Sequence, residues 1–281
     1  MSKIKIYVVC HRETEIPAHR LLYPIQVGAE CSDERFEGFL YDNSGENISK
    51  KNKSYCELTA QFWAWKNDTA DYYGFFHYRR FLVPIKKRSK PYYLAAELNN
   101  SVLEQYNFSY IESLIEKNDI VCPLPEDMHI SVREHYYLAD HHNKEDLLIL
   151  EGVVKELYPE YAQPLDDYFS QTKIFFGNIF VMKQDIFFDY CSWLFSILEE
   201  FDRRADWTKR TAQELRVDGY LAERLLGVYV TKHAPKMNII YLPRVHFEQD
   251  FLKRTKRCVL NKMLPPGTKH RAIIKRIFRT Q

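Results

Sequence analysis

The segment GFFHYRRFL places a histidine and two arginines directly after a short apolar run. Burying a guanidinium without a partner costs on the order of several kcal/mol, so something should meet these charges. A guanidinium stays charged at any working pH, and its planar fork pairs bidentately with phosphate oxygens. His77, Arg79 and Arg80 therefore predict a site for an anionic ligand, a diphosphate above all. Structural ion pairs with Asp71 or Glu57 are the alternative.

A second polar segment, YDNSGENIS at residues 41–49, could hydrogen-bond a ligand through Asp42, Asn43 and Asn47. Ligands of open α/β sheets bind outside the carboxyl ends of the strands, and a loop of this kind would lie there. An ordinary Asx-rich turn fits the same residues equally well.

A helix is predicted at residues 54–67, because its apolar residues recur at helical spacing and Ser54 and Glu57 have the spacing of a capping box. Lys66 and Asn67 at its end are two further candidates for binding the same ligand. Capping the helix end and complementing its dipole is their alternative role.

Metal-binding patterns are sparse. No Asp-x-Asp follows a strand in the first hundred residues, and there is no P-loop, GxGxxG or HExxH motif. His141 and His142 beside Asp140 could bind a metal, although such a pair in a polar stretch is more often part of a solvated loop. The metal is therefore left unassigned and no cofactor is certain; if an ion takes part, Mn²⁺ or Mg²⁺ is expected.

The elements around these residues read as an α/β nucleotide-binding half. Apolar, β-branched or aromatic runs at 3–11, 36–45 and 71–78 predict strands, and the helix at 54–67 lies between the last two. Strand, connection, strand, helix, strand is how such a half begins. Later in the chain, helices are predicted at 101–118, 144–158, 186–202 and 217–233, and strands at 119–125, 173–182 and 237–243.

The six cysteines are scattered without a CxxC pair, which favours reduced thiols and a cytoplasmic location over a disulfide framework. No apolar run approaches the roughly 18 residues that a transmembrane helix needs. The first residues, MSKIKIYVVCHRE, also lack the features of a secretory signal.

Charge divides the chain into a domain at 1–250 and a basic tail at 251–281. The tail holds ten Lys and Arg and no Asp or Glu, which leaves 30 basic against 38 acidic residues in the domain. Ile273, Ile274 and Ile277 fall on one predicted helical face with Phe278. Such a helix is typical of an anionic membrane surface. Nucleic acid is disfavoured because few aromatics interleave the cations, and a solvated tail without function is the alternative.

Seven segments together resemble one known family. They are PIQVGA (24–29), DNSGENIS (42–49), YCELTAQFWAWKN (55–67), GFFHYRRFL (74–82), GNIFVM (177–182), YCSWLF (190–195) and RVDGYLAERLL (216–226). In this order, over roughly residues 3–245, they resemble the bacterial capsular and O-antigen glycosyltransferases long catalogued only as a domain of unknown function. Some members of that family are assigned as galactofuranosyltransferases that use UDP-galactofuranose.

The resemblance implies an α/β, GT-A-like fold with a mixed central sheet flanked by helices, to which the basic helical tail is added. It also implies transfer of a hexosyl group, galactofuranose being the best single expectation, from a UDP-sugar to a lipid-linked glycan. The enzyme would then work at the inner face of the cell membrane, in capsule, O-antigen or exopolysaccharide synthesis. In GT-A enzymes an Asp-x-Asp holds a metal where this chain has HYRR, so fixed cations could neutralise the departing UDP instead. The family usually has an acidic pair where this chain has Asp42-Asn43, which removes any charge-dependent role for Asn43.

An inverting transfer needs a carboxylate that takes the proton of the acceptor hydroxyl. GT-A enzymes commonly supply it near the start of a late helix, where this chain offers Glu223 first and Asp218 second, with Asp140 as third choice. Glu223 precedes Arg224, which is placed among the donor-binding residues; a plain charge pair between these two is the alternative. A non-catalytic nucleotide- or carbohydrate-binding partner in a polysaccharide assembly complex is the competing function.

Overall fold

The computed structural model describes residues 2–84, 91–96, 106–264, 268, 270–271 and 273–274. The strands are β1 Ile4–Cys10, β2 Leu22–Gln26, β3 Leu40–Tyr41, β4 Tyr72–His77, β5 Arg80–Leu82, β6 Tyr92–Ala95, β7 Ile120–Pro123, β8 Glu126–Asp127, β9 Lys173–Ile174, β10 Phe180–Lys183, β11 Ile239–Leu242 and β12 Arg244–Phe247. The helices are α1 Asn52–Tyr55, α2 Leu58–Asn67, α3 Phe108–Glu116, α4 Val132–Leu138, α5 Lys144–Leu157, α6 Ala162–Ser170, α7 Gln184–Arg204, α8 Val217–His233 and α9 Phe251–Met263.

A mixed sheet forms the centre of the molecule, with strands in the order β11-β7-β10-β4-β1-β2-β3. The strands β4, β1, β2 and β3 run parallel, and β10 is antiparallel to both of its neighbours. At the end of β4 the chain turns back into β5, which pairs with β12, and β12 pairs with β6. This small extension therefore begins at the HYRR segment.

Apolar side chains cover both faces of the sheet, as the run IKIYVVC of β1 requires. Tyr7 and Val9 point into the larger core, which also contains apolar residues of α2, α5, α6, α7 and α8. Ile6 and Val8 point to the opposite face, where α3 and the β5–β12 extension pack. Helices thus flank the sheet and leave the carboxyl ends of its parallel strands free for a site.

Several predicted elements are confirmed: β1, β4, α5, α7 and α8 lie within a few residues of their predicted bounds. The predicted strand at 36–45 shrinks to the two residues of β3, and β2 was missed because its proline disguises a short strand. The predicted strand at 173–182 is interrupted at Gly177, whose φ of 82° breaks the extended backbone. The helix predicted at 101–118 is found from Phe108, and residues 101–105 lie outside the described part of the chain.

The continuous helix and capping box predicted at 54–67 are wrong. Cys56 has a φ of 50° and separates α1 from α2. Ser54 donates its hydroxyl hydrogen bond to Asp218, and Glu57 accepts one from Asn178 at 2.9 Å, so neither side chain caps the helix. Both side chains instead form hydrogen bonds with residues that are far away in the sequence. Such contacts cannot be predicted from residue spacing alone.

The C-terminal segment contains a helix ahead of the predicted face, and the described residues 270–271 and 273–274 within the predicted segment are helical as well. α9 spans Phe251–Met263, and Asp250 caps its start by accepting the backbone N–H of Lys253 at 3.0 Å. Most of the predicted face around Ile277 and Phe278 lies outside the described residues. Within the described part of the chain, no helix combines the length and apolar character needed to cross a membrane.

Candidate functional site

A cavity of about 520 Å³ opens above the carboxyl ends of β1, β2 and β4. Val9, Val27 and His77 form its floor, because the register between β1 and β4 sets Val9 beside His77. One wall comes from the junction of α1 and α2, including Cys56 and Glu57. The turn before α8 supplies the opposite wall. Ligands of open α/β folds bind at this edge of the sheet.

Three arginines lie at or next to the cavity, and none of them forms an ion pair with any residue that the structure describes. Arg79 and Arg216 line it, and Arg80 begins β5 directly after the turn. Among the described residues, none forms an ion pair or side-chain hydrogen bond with the guanidinium of Arg79 or Arg80; Arg79 only lies over the Tyr78 ring at 5.2 Å. The Nε of Arg216 donates to the Sγ of Cys56 at 3.4 Å. The predicted ion pairs of Arg79 or Arg80 with Asp71 or Glu57 are therefore not formed, and these cations remain available to an anionic ligand.

Two neutral imidazoles accompany the arginines. Burial and the neighbouring charges of Arg80 and Arg79 hold the pKa of His77 well below its usual range. Burial, Arg79 and Arg12 lower the pKa of His11 in the same way. The Nδ1 of His77 accepts the backbone N–H of Arg79 at 3.1 Å, so its proton is on Nε2, which can donate to a ligand. Positive charge in the cavity is therefore carried by arginine and by Lys53, and the two imidazoles add none at neutral pH.

Two carboxylates lie next to the arginines. Glu57 lines the cavity, and burial followed by the charge of Glu223 raises its pKa. Glu223 is 19% exposed and accepts from Arg224 at 3.2 Å, whereas the Arg224 side chain is 2% exposed. Both carboxylates are close enough to Arg80 to favour its charged form against the effect of burial. The site therefore offers a paired carboxylate, Glu223, and a second one, Glu57, that holds its proton to higher pH.

Asp218 lies elsewhere. It is fully buried, accepts from the hydroxyl of Ser54, and faces Asp202, which accepts from Lys51 and Tyr55 at 2.9 Å each. Burial and the charge of Asp202 raise the pKa of Asp218 well above its usual range. Asp218 therefore holds its proton to a higher pH than an ordinary aspartate, and it does not line the cavity.

The side chains of the 41–49 loop are occupied within the protein. Asp42 is fully buried and accepts the N–H groups of Gly28 and Ala29 at 2.8 and 3.0 Å and the hydroxyl of Ser49 at 2.6 Å. Gly28 has a φ of 68°, and a Cβ there would lie 2.7 Å from Asn52, so this turn needs glycine. Asp42 thereby fixes the loop after β2, which carries Val27 into the cavity.

The remaining predicted site residues lie apart from the cavity. Asn43 donates to Glu30 at 3.2 Å, and Asn47 donates to the carbonyl oxygens of Asn43 and Gly45 within its own loop. Lys66 lies 3.8 Å from the centre of the Trp65 ring, and Asn67 holds the backbone of Glu46. These contacts match the capping and turn alternatives.

The two adjacent histidines, His141 and His142, lie in different environments. Asp140 and His141 are exposed, whereas His142 stacks on the Tyr220 ring at 4.3 Å and burial lowers its pKa to about 4. In the described part of the chain, no three His, Cys, Asp or Glu side chains come together in a group that could hold a metal ion.

A second cavity, of about 410 Å³, shares Arg79 with the first. Arg12, Tyr78 and Glu248 line it, and so does Lys253 of α9. The guanidinium of Arg12 lies 5.1 Å from the centre of the Tyr78 ring, and that of Arg79 lies 5.2 Å from it. Its mixture of cations, carboxylates and an aromatic ring is suited to hydroxyl-rich ligands.

Comparison with known proteins places this geometry in a family. The model of the family described as "Domain of unknown function (DUF4422)" matches residues 5–234. This chain belongs to the DUF4422 family. The structure is similar to that of the bifunctional glycosyltransferase WbbM in its apo form, at 31% sequence identity and with a TM-score of 0.83. The similarity covers 88% of this chain and 45% of the WbbM chain, so this chain spans less than half of that relative. No curated protein gives a significant match to the sequence.

The mixed central sheet flanked by helices is thus the fold of a glycosyltransferase, and the predicted fold class is confirmed. In this DUF4422 chain, the structure brings four predicted site residues, His77, Arg79, Arg80 and Glu223, into one region. Arg216, which precedes α8, was not predicted to belong to the site, and Glu57 was predicted to cap a helix. The sequence did contain a signal for both residues. Glu57 lies in the segment 55–67 and Arg216 in the segment 216–226, and both segments carry the family resemblance.

Proposed function

We propose that this DUF4422 chain is a glycosyltransferase that moves a hexosyl group from a UDP-sugar to a lipid-linked glycan acceptor. Galactofuranose is the first sugar to test, and capsule, O-antigen or exopolysaccharide synthesis at the cytoplasmic face of the membrane is the proposed setting. The glycosyltransferase fold supports the activity. The observation that carries the donor assignment is that Arg79, Arg80 and Arg216 lie near the carboxyl ends of the strands and form no ion pair with any described residue.

In this proposal the arginines bind the donor diphosphate. Arg79 and Arg216 lie at the cavity surface, and Arg80 follows Arg79 in the chain and lies near Glu223 and Glu57. The Nε2–H of His77 donates a further hydrogen bond without adding charge. As the bond between the sugar and UDP breaks, negative charge grows on the diphosphate, and fixed cations that are already in place stabilise it.

The acceptor hydroxyl loses its proton to a carboxylate as it attacks the sugar carbon. Glu223 is the proposed base, because it lies close to Arg80 and accepts a hydrogen bond from Arg224 that orients its carboxylate. Glu57 is the second candidate. Its raised pKa means that it stays protonated, and so unable to act as a base, up to a higher pH than an ordinary glutamate. The transfer would then be inverting, with the acceptor approaching from the second cavity that shares Arg79.

A panel of UDP-sugars tests the donor assignment. A ligand that binds only the folded state raises the unfolding temperature by mass action, so UDP and the correct UDP-sugar should both stabilise the protein. GDP-, ADP- and CMP-linked sugars are the matched controls. The absence of stabilisation by any uridine nucleotide would refute the donor assignment.

Hydrolysis separates an enzyme from a binding module. An active transferase should slowly release the sugar from its UDP-sugar in the absence of acceptor, and Glu223→Gln should abolish this release while leaving UDP binding intact. UDP binding without any hydrolysis or transfer would favour the non-catalytic partner instead.

A further inference from the structure

Helix α9 presents its apolar side chains to solvent. Leu252 is 77% exposed, Met263 75%, Phe251 66% and Val259 52%. Positions 252, 259 and 263 are separated by seven and four residues, so they lie on one face of the helix. A helix that packs on a globular domain ordinarily buries this face.

The protein contacts the opposite, polar face of the same helix. Arg254 donates to the carbonyl oxygen of Glu248 at 2.8 Å, and Asn261 accepts from the hydroxyl of Tyr92 at 3.0 Å. These two residues are seven positions apart and are the least exposed of the helix. The helix is therefore held by its polar side chains, with its apolar face turned outward.

Charge identifies the surface that would cover this face. Lys256 and Lys262 are exposed beside the apolar residues, Lys253 lies at the start of the helix, and residues 251–281 contain no carboxylate. A second copy of the chain packed through the same face would oppose these lysines with identical lysines. An anionic bilayer supplies both missing components, hydrocarbon for Leu252 and Met263 and negative headgroups for the lysines.

We propose that the exposed face of α9 docks this protein on an anionic lipid bilayer. The helix lies in the headgroup region with Phe251, Leu252, Val259 and Met263 inserted. Because Lys253 also lines the second cavity, docking holds that cavity at the membrane surface. The docking itself does not depend on the proposed function. Only its purpose rests on that function, since a lipid-linked acceptor would be presented at the membrane.

The test is cosedimentation of the full chain with vesicles of phosphatidylcholine, with and without phosphatidylglycerol, at low and high salt. We expect binding to the anionic vesicles that weakens with salt. Leu252→Gln with Met263→Gln should lower the partition coefficient by about tenfold or more, because two inserted side chains are lost. Lys256→Gln with Lys262→Gln should lower it by about tenfold or more, because each cation near an anionic surface contributes.

The matched control is Leu148→Gln with Leu157→Gln. These leucines are each 42% exposed on α5, so the control makes the same chemical change on another helix and should leave binding unaltered. All variants should keep the wild-type affinity for UDP, which reports an intact fold. Failure of the wild type to bind UDP would count against the proposed function and leave the vesicle result unaffected.

Three outcomes would overturn the docking proposal. The full chain could ignore anionic vesicles at low salt. Binding could depend on the two lysines and be indifferent to Leu252 and Met263, with oligonucleotides competing, which would identify a general polyanion surface. The chain could also be a dimer in solution that Leu252→Gln with Met263→Gln dissociates, which would assign the face to a second copy.

Discussion

Replacing Arg80 by methionine separates a ligand-binding arginine from a structural one. Methionine keeps the unbranched apolar stem and removes the guanidinium. Among the described residues the Arg80 guanidinium has no hydrogen-bond or ion-pair partner, so its loss strands no acceptor. Its burial already disfavours the charged form and lowers its pKa. We therefore expect the ligand-free variant to be as stable as the wild type, or slightly more stable.

The effect on the ligand should be large by comparison. A hydrogen bond to a charged group contributes about 1.5–3 kcal/mol, which corresponds to roughly a 10- to 150-fold loss of UDP affinity. Isothermal titration with UDP measures this loss directly, and thermal unfolding without ligand measures the stability.

Arg203→Met is the control, because Arg203 is exposed on α7 and pairs only with Glu199 and Glu200 within the described residues. It should leave UDP affinity unchanged. A folded Arg80→Met protein that binds UDP within about twofold of the wild type would refute the assignment. So would a variant whose ligand-free form loses several kcal/mol of stability, because that result would reveal a structural role.

Three further predictions follow from the carboxylates and the cation set. Glu223→Gln should leave UDP affinity intact and lower turnover by about a hundredfold or more, as measured with saturating donor; near-normal turnover would transfer the role of base to Glu57. Burial and Asp202 raise the pKa of Asp218, so the folded state holds a proton that the unfolded chain releases, and stability should fall as pH rises through that raised pKa. Asp218→Asn cannot ionise and should flatten this fall in thermal unfolding, with activity retained; an unchanged pH profile would contradict the raised pKa of Asp218. Activity should survive EDTA at least in part, and complete loss that manganese restores would show that an ion is required.

The elements that sequence could predict are those with strong local patterns. The apolar run of β1 and the helical periodicity of α5, α7 and α8 need no distant contact to be recognised. The short strands β5, β6 and β12 could not be found in this way. β5 and β6 each pair with β12, which lies more than 140 residues later in the chain (Arg244 is opposite Leu82 and Tyr92), and each strand is stable only because its partner is present.

The site was predictable where residue type alone decides the chemistry. Two adjacent arginines after a buried strand predict an anion site, and neither forms an ion pair with a described residue, which is compatible with that prediction. The polar residues of the 41–49 loop were ambiguous, since Asp42 can bind a ligand or a protein backbone with equal ease. Only the fold brings Gly28 and Ala29 to Asp42 and so decides between these roles.

The arginines themselves distinguish structure from function in this protein. Arg244 is 2% exposed, and its guanidinium donates to the carbonyl oxygen of Phe176 at 2.8 Å and to Glu126 at 3.4 Å. Arg224, also 2% exposed, pairs with Glu223. Each of these two buried guanidiniums therefore has at least one oxygen partner within the protein, as desolvation requires. Arg80 is half-buried and, among the described residues, has no hydrogen-bond or ion-pair partner, whereas Arg79 is exposed and lines both cavities. Glu57 and Glu223 favour the charged form of Arg80 without forming an ion pair with it, so the partner that we propose for these two guanidiniums is an anionic ligand.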